Sequence, residues 1–210
     1  MAKVINGLIV GKVGNLVYYI QDGRQCLRSL PIKNNRLPTL KELNCRNNMK
    51  LAQDFLGRML AFLRIGFAEI AGQKKDKPYN QAVSALIKNA ITGTYPDRTV
   101  DPALVVVAKG NLRLPVDAGM TLVGNELVFT WNATLEKAWP HANDRVMLLA
   151  YEEEDRDCIY NLAGVQRRVG TDRLTVSNSW MGKRIQTYLA FRSESGALCS
   201  DSVYTGSVVL

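Results

Sequence analysis

The sequence predicts an α+β, mostly β fold, in which an N-terminal β-hairpin and helices precede an antiparallel sandwich of the immunoglobulin or fibronectin-III-like type. Three observations predict it. An Asp-Gly pair separates two β-branched and aromatic runs near the amino terminus. Apolar residues then recur at helical spacing, and short strand-like runs separated by Gly, Asn and Asp follow. We therefore divide the chain into a basic hairpin-plus-helices region, 1–101, and a sandwich, 102–210.

The predicted hairpin joins the runs 16–20 and 25–30 through Asp22 and Gly23. Both turn residues must tolerate positive φ, which Asp-Gly pairs do. The glycine-containing run 7–13 has neither the spacing nor the hydroxyl residue of a phosphate-binding loop. Its glycines are therefore expected to permit tight turns or bulges beside a strand.

A helical region is predicted to begin at Thr39 and Glu42, which form a capping box. Helical spacing of apolar residues follows, and Gly57 and Gly66 predict breaks, so we expect consecutive helices or one bent helix. Pro78 suits the first turn of a further helix. The apolar faces of these helices need a cover, which is either the sandwich or a second copy of the chain.

Seven short runs in the second half are expected to be strands. They are residues 104–107, 112–114, 126–131, 145–151, 174–176, 186–191 and 207–209. Strands at this spacing, with no helical pattern between them, favour an antiparallel sandwich. Trp131, near the end of an early strand, is expected to anchor its core.

The positive charge belongs to the first half of the chain. The net charge is +8, and residues 1–105 contain 16 Lys and Arg against 7 Asp and Glu, whereas residues 106–210 contain 11 against 12. A basic half indicates an anionic partner, such as nucleic acid, lipid headgroups or an acidic protein. Because the charges are scattered, with no run of five, a solvated face is the favoured alternative.

The sequence gives little support for an enzymatic function, since His141 is the only histidine. A general base needs an orienting partner, and Asp144 is merely near in sequence. We expect no catalytic residue and no cofactor. An enzyme would need a cleft that joins carboxylates such as Glu126, Glu136 and Asp144.

No metal site is predicted either. The four cysteines, Cys26, Cys45, Cys158 and Cys199, form no C-x-x-C pair and are expected to be reduced and mostly buried. The acidic run 152–157 has no glycine where a calcium loop needs one. A solvated turn between strands is therefore expected there, with docking on a basic patch as an alternative.

The predicted partner-binding residues are Lys12, Tyr18, Tyr19, Arg24 and Arg28. Aromatic and basic residues together hold single-stranded nucleic acid or an acidic protein surface. Adjacent tyrosines on a strand face opposite sides, so at most one of them joins any such surface. The alternative is that these residues only dock the hairpin on the sandwich.

Several motifs resemble those of a family of uncharacterised proteins common in Bacteroidota. They are the opening Asn6-Gly7 with Gly11-Lys12-Val13-Gly14-Asn15, the helical middle 44–56, the tryptophan-bearing strand 129–131 and the tail Ser200-x-Ser202-x-Tyr204-x-Gly206. The resemblance covers nearly the whole chain. It implies no catalytic residues. It also implies association with the Bacteroidota outer-membrane protein-secretion machinery, as a plug-like or accessory subunit.

The expected function is a non-enzymatic protein-interaction or structural module of unknown partner. A secretion-complex subunit and a nucleic-acid-binding protein that uses the basic N-terminal half are the alternatives. The opening residues make a poor signal peptide, and no window approaches 18 apolar residues. We therefore expect a cytoplasmic protein without a membrane span, with the periplasm or envelope as the alternative compartment.

Overall fold

The computed structural model describes residues 2–21, 23–31, 36–133 and 142–210. The chain divides into two compact units, Met1–Thr39 and Leu40–Leu210. The boundary that the sequence predicts at residues 101 and 102 falls inside the second unit, where helices and strands contribute to one core.

The first unit is a four-stranded antiparallel sheet in the order β1-β2-β3-β4. Its strands are β1 (Lys3–Ile5), β2 (Leu8–Val13), β3 (Leu16–Gln21) and β4 (Arg24–Ser29). The predicted hairpin is confirmed as β3 and β4, in which Gln21 is opposite Arg24. The first two strands were not predicted. They are joined by Asn6 and Gly7, whose φ angles of 49° and 77° are those of a tight two-residue turn.

The second unit begins with four helices, α1 (Leu40–Leu56), α2 (Leu60–Gly66), α3 (Ala68–Lys74) and α4 (Pro78–Asn89). The predicted breaks are confirmed, because Gly57 begins a short 3₁₀ turn after α1 and Gly66 ends α2. Pro78 is the first residue of α4, where its missing N–H costs no hydrogen bond. None of the described helices has the length and apolar character needed to cross a membrane.

Close packing explains the glycine at the end of α2. A Cβ on Gly66 would lie 2.7 Å from the Val107 carbonyl oxygen and 2.8 Å from the Ala108 Cβ. We expect Gly66→Ala to lower the free energy of unfolding by about 2 kcal/mol, since overpacking forces neighbours to shift. Gly57→Ala is the control, because nothing lies within 4 Å of its added Cβ and helix propensity improves. Urea titrations compare the two, and equal destabilisation would contradict the packing argument.

The strands of the second unit form two larger antiparallel sheets and a small ladder. They are β5 (Ile91–Thr92), β6 (Thr99–Val100), β7 (Gly119–Val123), β8 (Glu126–Thr130), β9 (Arg145–Glu152), β10 (Cys158–Asn161), β11 (Thr171–Thr175), β12 (Arg184–Arg192) and β13 (Val203–Val209). One sheet has the order β10-β9-β12-β13 and the other β11-β8-β7, while β5 pairs with β6.

The four-stranded sheet is buried on both faces by two separate cores. Met147, Leu149 and Tyr151 of β9 pack among apolar residues of the helices. Val146 and Leu148 alternate with them and pack among residues of the three-stranded sheet. The second unit is therefore built in three layers, in which helices cover one sheet and that sheet covers the other.

Five of the seven predicted strand runs are confirmed, and Trp131 is buried as expected. The predictions of strands at 104–107 and 112–114 are wrong. The first run follows a 3₁₀ turn and pairs with no strand, and the second forms only an isolated bridge. The first run is apolar because it is packed in the helical core. The amides of Val107 and Ala108 donate to the Ser202 hydroxyl, at 2.9 and 3.3 Å, instead of to a neighbouring strand.

Candidate functional site

One face of the N-terminal sheet carries most of the predicted binding residues. Residues opposite each other in an antiparallel ladder share a face. Lys12 is opposite Val17, which is opposite Arg28. Tyr19 and Arg24 lie on the same face because they alternate with residues of the other side. We call this the basic face, after its four cations Lys3, Lys12, Arg24 and Arg28. The register places apolar and aromatic residues on the same face, namely Ile5, Leu8, Val10, Val17, Tyr19 and Cys26.

Tyr18 lies on the opposite face, as expected for one of two adjacent tyrosines on a strand. It is opposite Gly11 on β2 and Leu27 on β4. The other side chains that share this face are nearly all apolar. We call it the apolar face, defined by Val4, Ile9, Val13, Leu16, Tyr18, Ile20 and Leu27.

The apolar face is exposed over its whole extent. Apart from half-buried Tyr18, its members range from 38% exposed for Leu16 to 73% exposed for Val4. Sequence reasoning missed this surface because β1 and β2 were not predicted. The signal was nevertheless present, since Leu16, Tyr18 and Ile20 stand at alternate positions of one strand.

The basic face has few negative charges near it in sequence. Residues 1–39 contain six Lys and Arg against one acidic residue, Asp22, which lies outside the described residues. No carboxylate of the described part of the chain forms an ion pair with Lys12, Arg24 or Arg28.

Two of the acidic residues considered for catalysis make structural contacts within the second unit. Glu126 forms an ion pair with Arg173 at 2.8 Å on the exposed side of a strand pair. Asp144 is buried, and its carbonyl accepts the Arg167 N–H at 2.7 Å. Glu136 and His141 lie outside the described residues.

The acidic run 152–157 forms the turn between β9 and β10. The buried Glu152 carboxylate accepts the backbone N–H groups of Glu154 and Asp155 at 2.6 and 2.8 Å. Lys183 donates to Asp155 and closes the turn from β12. In the described ranges, no three His, Cys, Asp or Glu side chains are grouped so that they could hold a metal ion.

All four cysteines are free thiols, and the expectation that most are buried is wrong. Cys199 is buried, whereas Cys26 and Cys158 are half-buried and Cys45 is exposed. Burial raises the pKa of Cys158 and of Cys199 to about 11. Since the thiolate is the reactive form, these two thiols are poor nucleophiles at neutral pH.

Comparison with known proteins identifies one family. No curated protein and no solved structure matches the chain. A model of DUF6266, a family of unknown function, matches residues 8–206. The match includes most of the N-terminal sheet and nearly all of the second unit. The chain therefore belongs to the DUF6266 family.

Proposed function

We propose that the protein is a non-enzymatic protein-interaction module that docks on a partner protein through the apolar face of its N-terminal sheet. The observation that carries the proposal is the exposure of that face. None of the described residues of the first unit is buried, so the sheet has no core of its own. Contiguous exposed apolar patches of this kind mark interaction sites in proteins. A partner that covers the face would also stabilise the sheet.

The basic face is compatible with the same proposal, because its cations attract an acidic partner at long range without contacting it. When the apolar face is docked, Lys12, Arg24 and Arg28 remain in solvent on the other side. Such cations steer an acidic partner and raise the association rate more than the affinity. Both outer strands, β1 and β4, have one neighbour each in the sheet, so strand addition is a further mode of binding.

The second unit serves in this proposal as the rigid body that carries the sheet. We propose that its strands form an immunoglobulin or fibronectin-III-like sandwich. The support is the arrangement of seven strands in a four-stranded and a three-stranded antiparallel sheet with a common apolar core. The helical layer on the outer face of the larger sheet is an addition to that architecture.

Single charges placed on the apolar face test the proposal. We expect Val13→Asp and Leu27→Asp to abolish capture of the partner from native lysate, because a carboxylate at the centre of an apolar interface has no counter-charge. Val123→Asp and Leu114→Asp are matched controls on exposed positions of the second unit and should leave capture unchanged. Mass spectrometry identifies the captured protein, including any envelope secretion component. Equal capture by all four variants, or no reproducible partner, would sink the proposal.

Nucleic-acid binding is the second candidate, favoured by Tyr19 lying among cations on the basic face. Stacking on an aromatic ring and neutralisation of phosphates hold single strands. Labelled DNA would then bind with an affinity that falls steeply with salt. Lys12→Ala and Arg28→Ala should weaken that binding, whereas Val13→Ser, which leaves the net charge unchanged, should not. No shift of labelled DNA at low salt removes this candidate.

A further inference from the structure

A hollow of about 250 Å³ lies in the second unit, beside the groove between α3 and α4. Three lysines line it, namely Lys74, Lys88 and Lys109. Polar and apolar side chains complete the lining, among them Gln81, Ser84, Asn89 and Phe67. No carboxylate of the described residues is part of the lining.

The segment that carries Lys109 is held rigidly against the end of α2. The Lys109 N–H donates to the Gly66 carbonyl at 2.8 Å. On either side of it, the Ala108 N–H donates to the Ser202 hydroxyl at 3.3 Å and the Gly110 N–H donates to the Asp201 carboxylate at 2.9 Å. The backbone of Lys109 is therefore fixed where it lines the hollow.

The three cations are not equally compensated. Lys74 donates to the Gln81 amide oxygen at 2.9 Å, and the Gln81 amide nitrogen donates to Asp76, so a carboxylate stands near the first lysine. Neither Lys88 nor Lys109 forms an ion pair with a carboxylate of the described chain. Lys88 and Lys109 are therefore not neutralised by a direct ion pair with a described carboxylate.

Helix stabilisation accounts for only part of this arrangement. Lys74 and Lys88 stand in the last turns of α3 and α4, where a cation interacts favourably with the helix dipole. Lys109 belongs to no helix, yet it lines the same hollow. Three lysines that line one hollow can together neutralise a multiply charged anion.

We propose that this hollow binds a phosphate-bearing anion small enough for its volume of about 250 Å³. Ammonium groups form charge-assisted hydrogen bonds to phosphate oxygens. The Ser84 hydroxyl and the Asn89 amide supply further donors. All of these residues belong to the second unit, so the inference is independent of the docking proposed for the N-terminal sheet.

Calorimetric titration of the full chain with inorganic pyrophosphate at low ionic strength tests the proposal. We expect saturable 1:1 binding that Lys88→Ala and Lys109→Ala weaken by about tenfold each, which is the usual cost of one charged hydrogen bond. The matched control is the pair Lys41→Ala and Lys50→Ala, which removes the same charge from exposed positions of α1. That pair should leave the affinity unchanged.

Three further measurements make each outcome decisive. Unchanged melting temperatures of the alanine variants show that they fold, and Lys88→Arg with Lys109→Arg should retain binding because the charges remain. Vesicles that contain phosphatidic acid form a second probe. The protein would then be expected to bind vesicles but not pyrophosphate if a lipid headgroup is the source of the phosphate. Lys88→Ala and Lys109→Ala should abolish that binding of vesicles. Failure of both probes to bind, or equal weakening by the α1 pair, would overturn the proposal.

Discussion

A fragment of residues 102–210 is expected to remain unfolded, whereas residues 40–210 should fold as cooperatively as the full chain. The reason is the core between the helices and the four-stranded sheet. The Tyr151 ring packs at a tilt against Phe55 with ring centroids 4.5 Å apart, and Tyr160 meets Phe62 edge-on at 6.4 Å. Loss of the helices would expose this whole face of the sheet to water.

The expected cost is large relative to the stability of a domain. Met147, Leu149, Tyr151, Tyr188 and Ala190 of that face are all at most 3% exposed. Exposing a large apolar side chain costs about 1.5–3 kcal/mol, so these residues together approach about 10 kcal/mol. Domains are typically stable by only about 5–15 kcal/mol.

Two measurements compare the fragments. One is thermal unfolding followed by far-ultraviolet circular dichroism, and the other is the chemical-shift dispersion of the amide protons in NMR spectra. The fragment 40–210 is the matched control, because the 39 residues that it lacks contribute no buried residue among those described. A sharp, cooperative transition of the fragment 102–210 would contradict the expectation. It would instead support the division at residue 101 that the sequence predicts.

The central strands were predictable from sequence, and so in principle was the layer that covers them. The run from Val146 to Tyr151 is apolar at every position, with no alternation of apolar and polar residues. A strand of this kind is buried on both faces of its sheet. A sandwich alone covers one face of its sheet. The other face of the sheet therefore needs a second apolar surface to cover it. The apolar face of the helices around Phe55 is that surface.

Other features depend on contacts that no local pattern reveals. The run 104–107 has the composition of a strand, but its partner is a single serine, Ser202, nearly a hundred residues later. The apolar face of the N-terminal sheet depends on β2, and the run 7–13 predicts only tight turns or bulges beside a strand, not the pairing of β2 with β1. The pair Asn6-Gly7, which forms the turn between these two strands, is among the strongest short-range hairpin signals.

Arg167 is the polar residue whose loss should destabilise the second unit most. Its guanidinium donates to the carbonyls of Arg113 and Leu114 at 3.0 and 2.9 Å, and it lies 4.2 Å from the centre of the Phe191 ring. The residue is only 3% exposed. Burial lowers the pKa of Arg167, and the neighbouring charge of Asp144 opposes that shift.

We therefore expect Arg167→Ala to lower the free energy of unfolding by about 3–5 kcal/mol, because removing one member of a buried charged cluster leaves its partners without compensation. Arg167→Lys should recover part of the loss, since an ammonium keeps the charge but cannot fork between two carbonyls. Arg168→Ala is the matched control on the adjacent exposed position, where about 0.5 kcal/mol or less is expected. Urea titrations of all three variants measure these differences. If the two alanine variants lost the same stability, the fork to the carbonyls would contribute nothing, and the 113–114 segment would be held by packing alone.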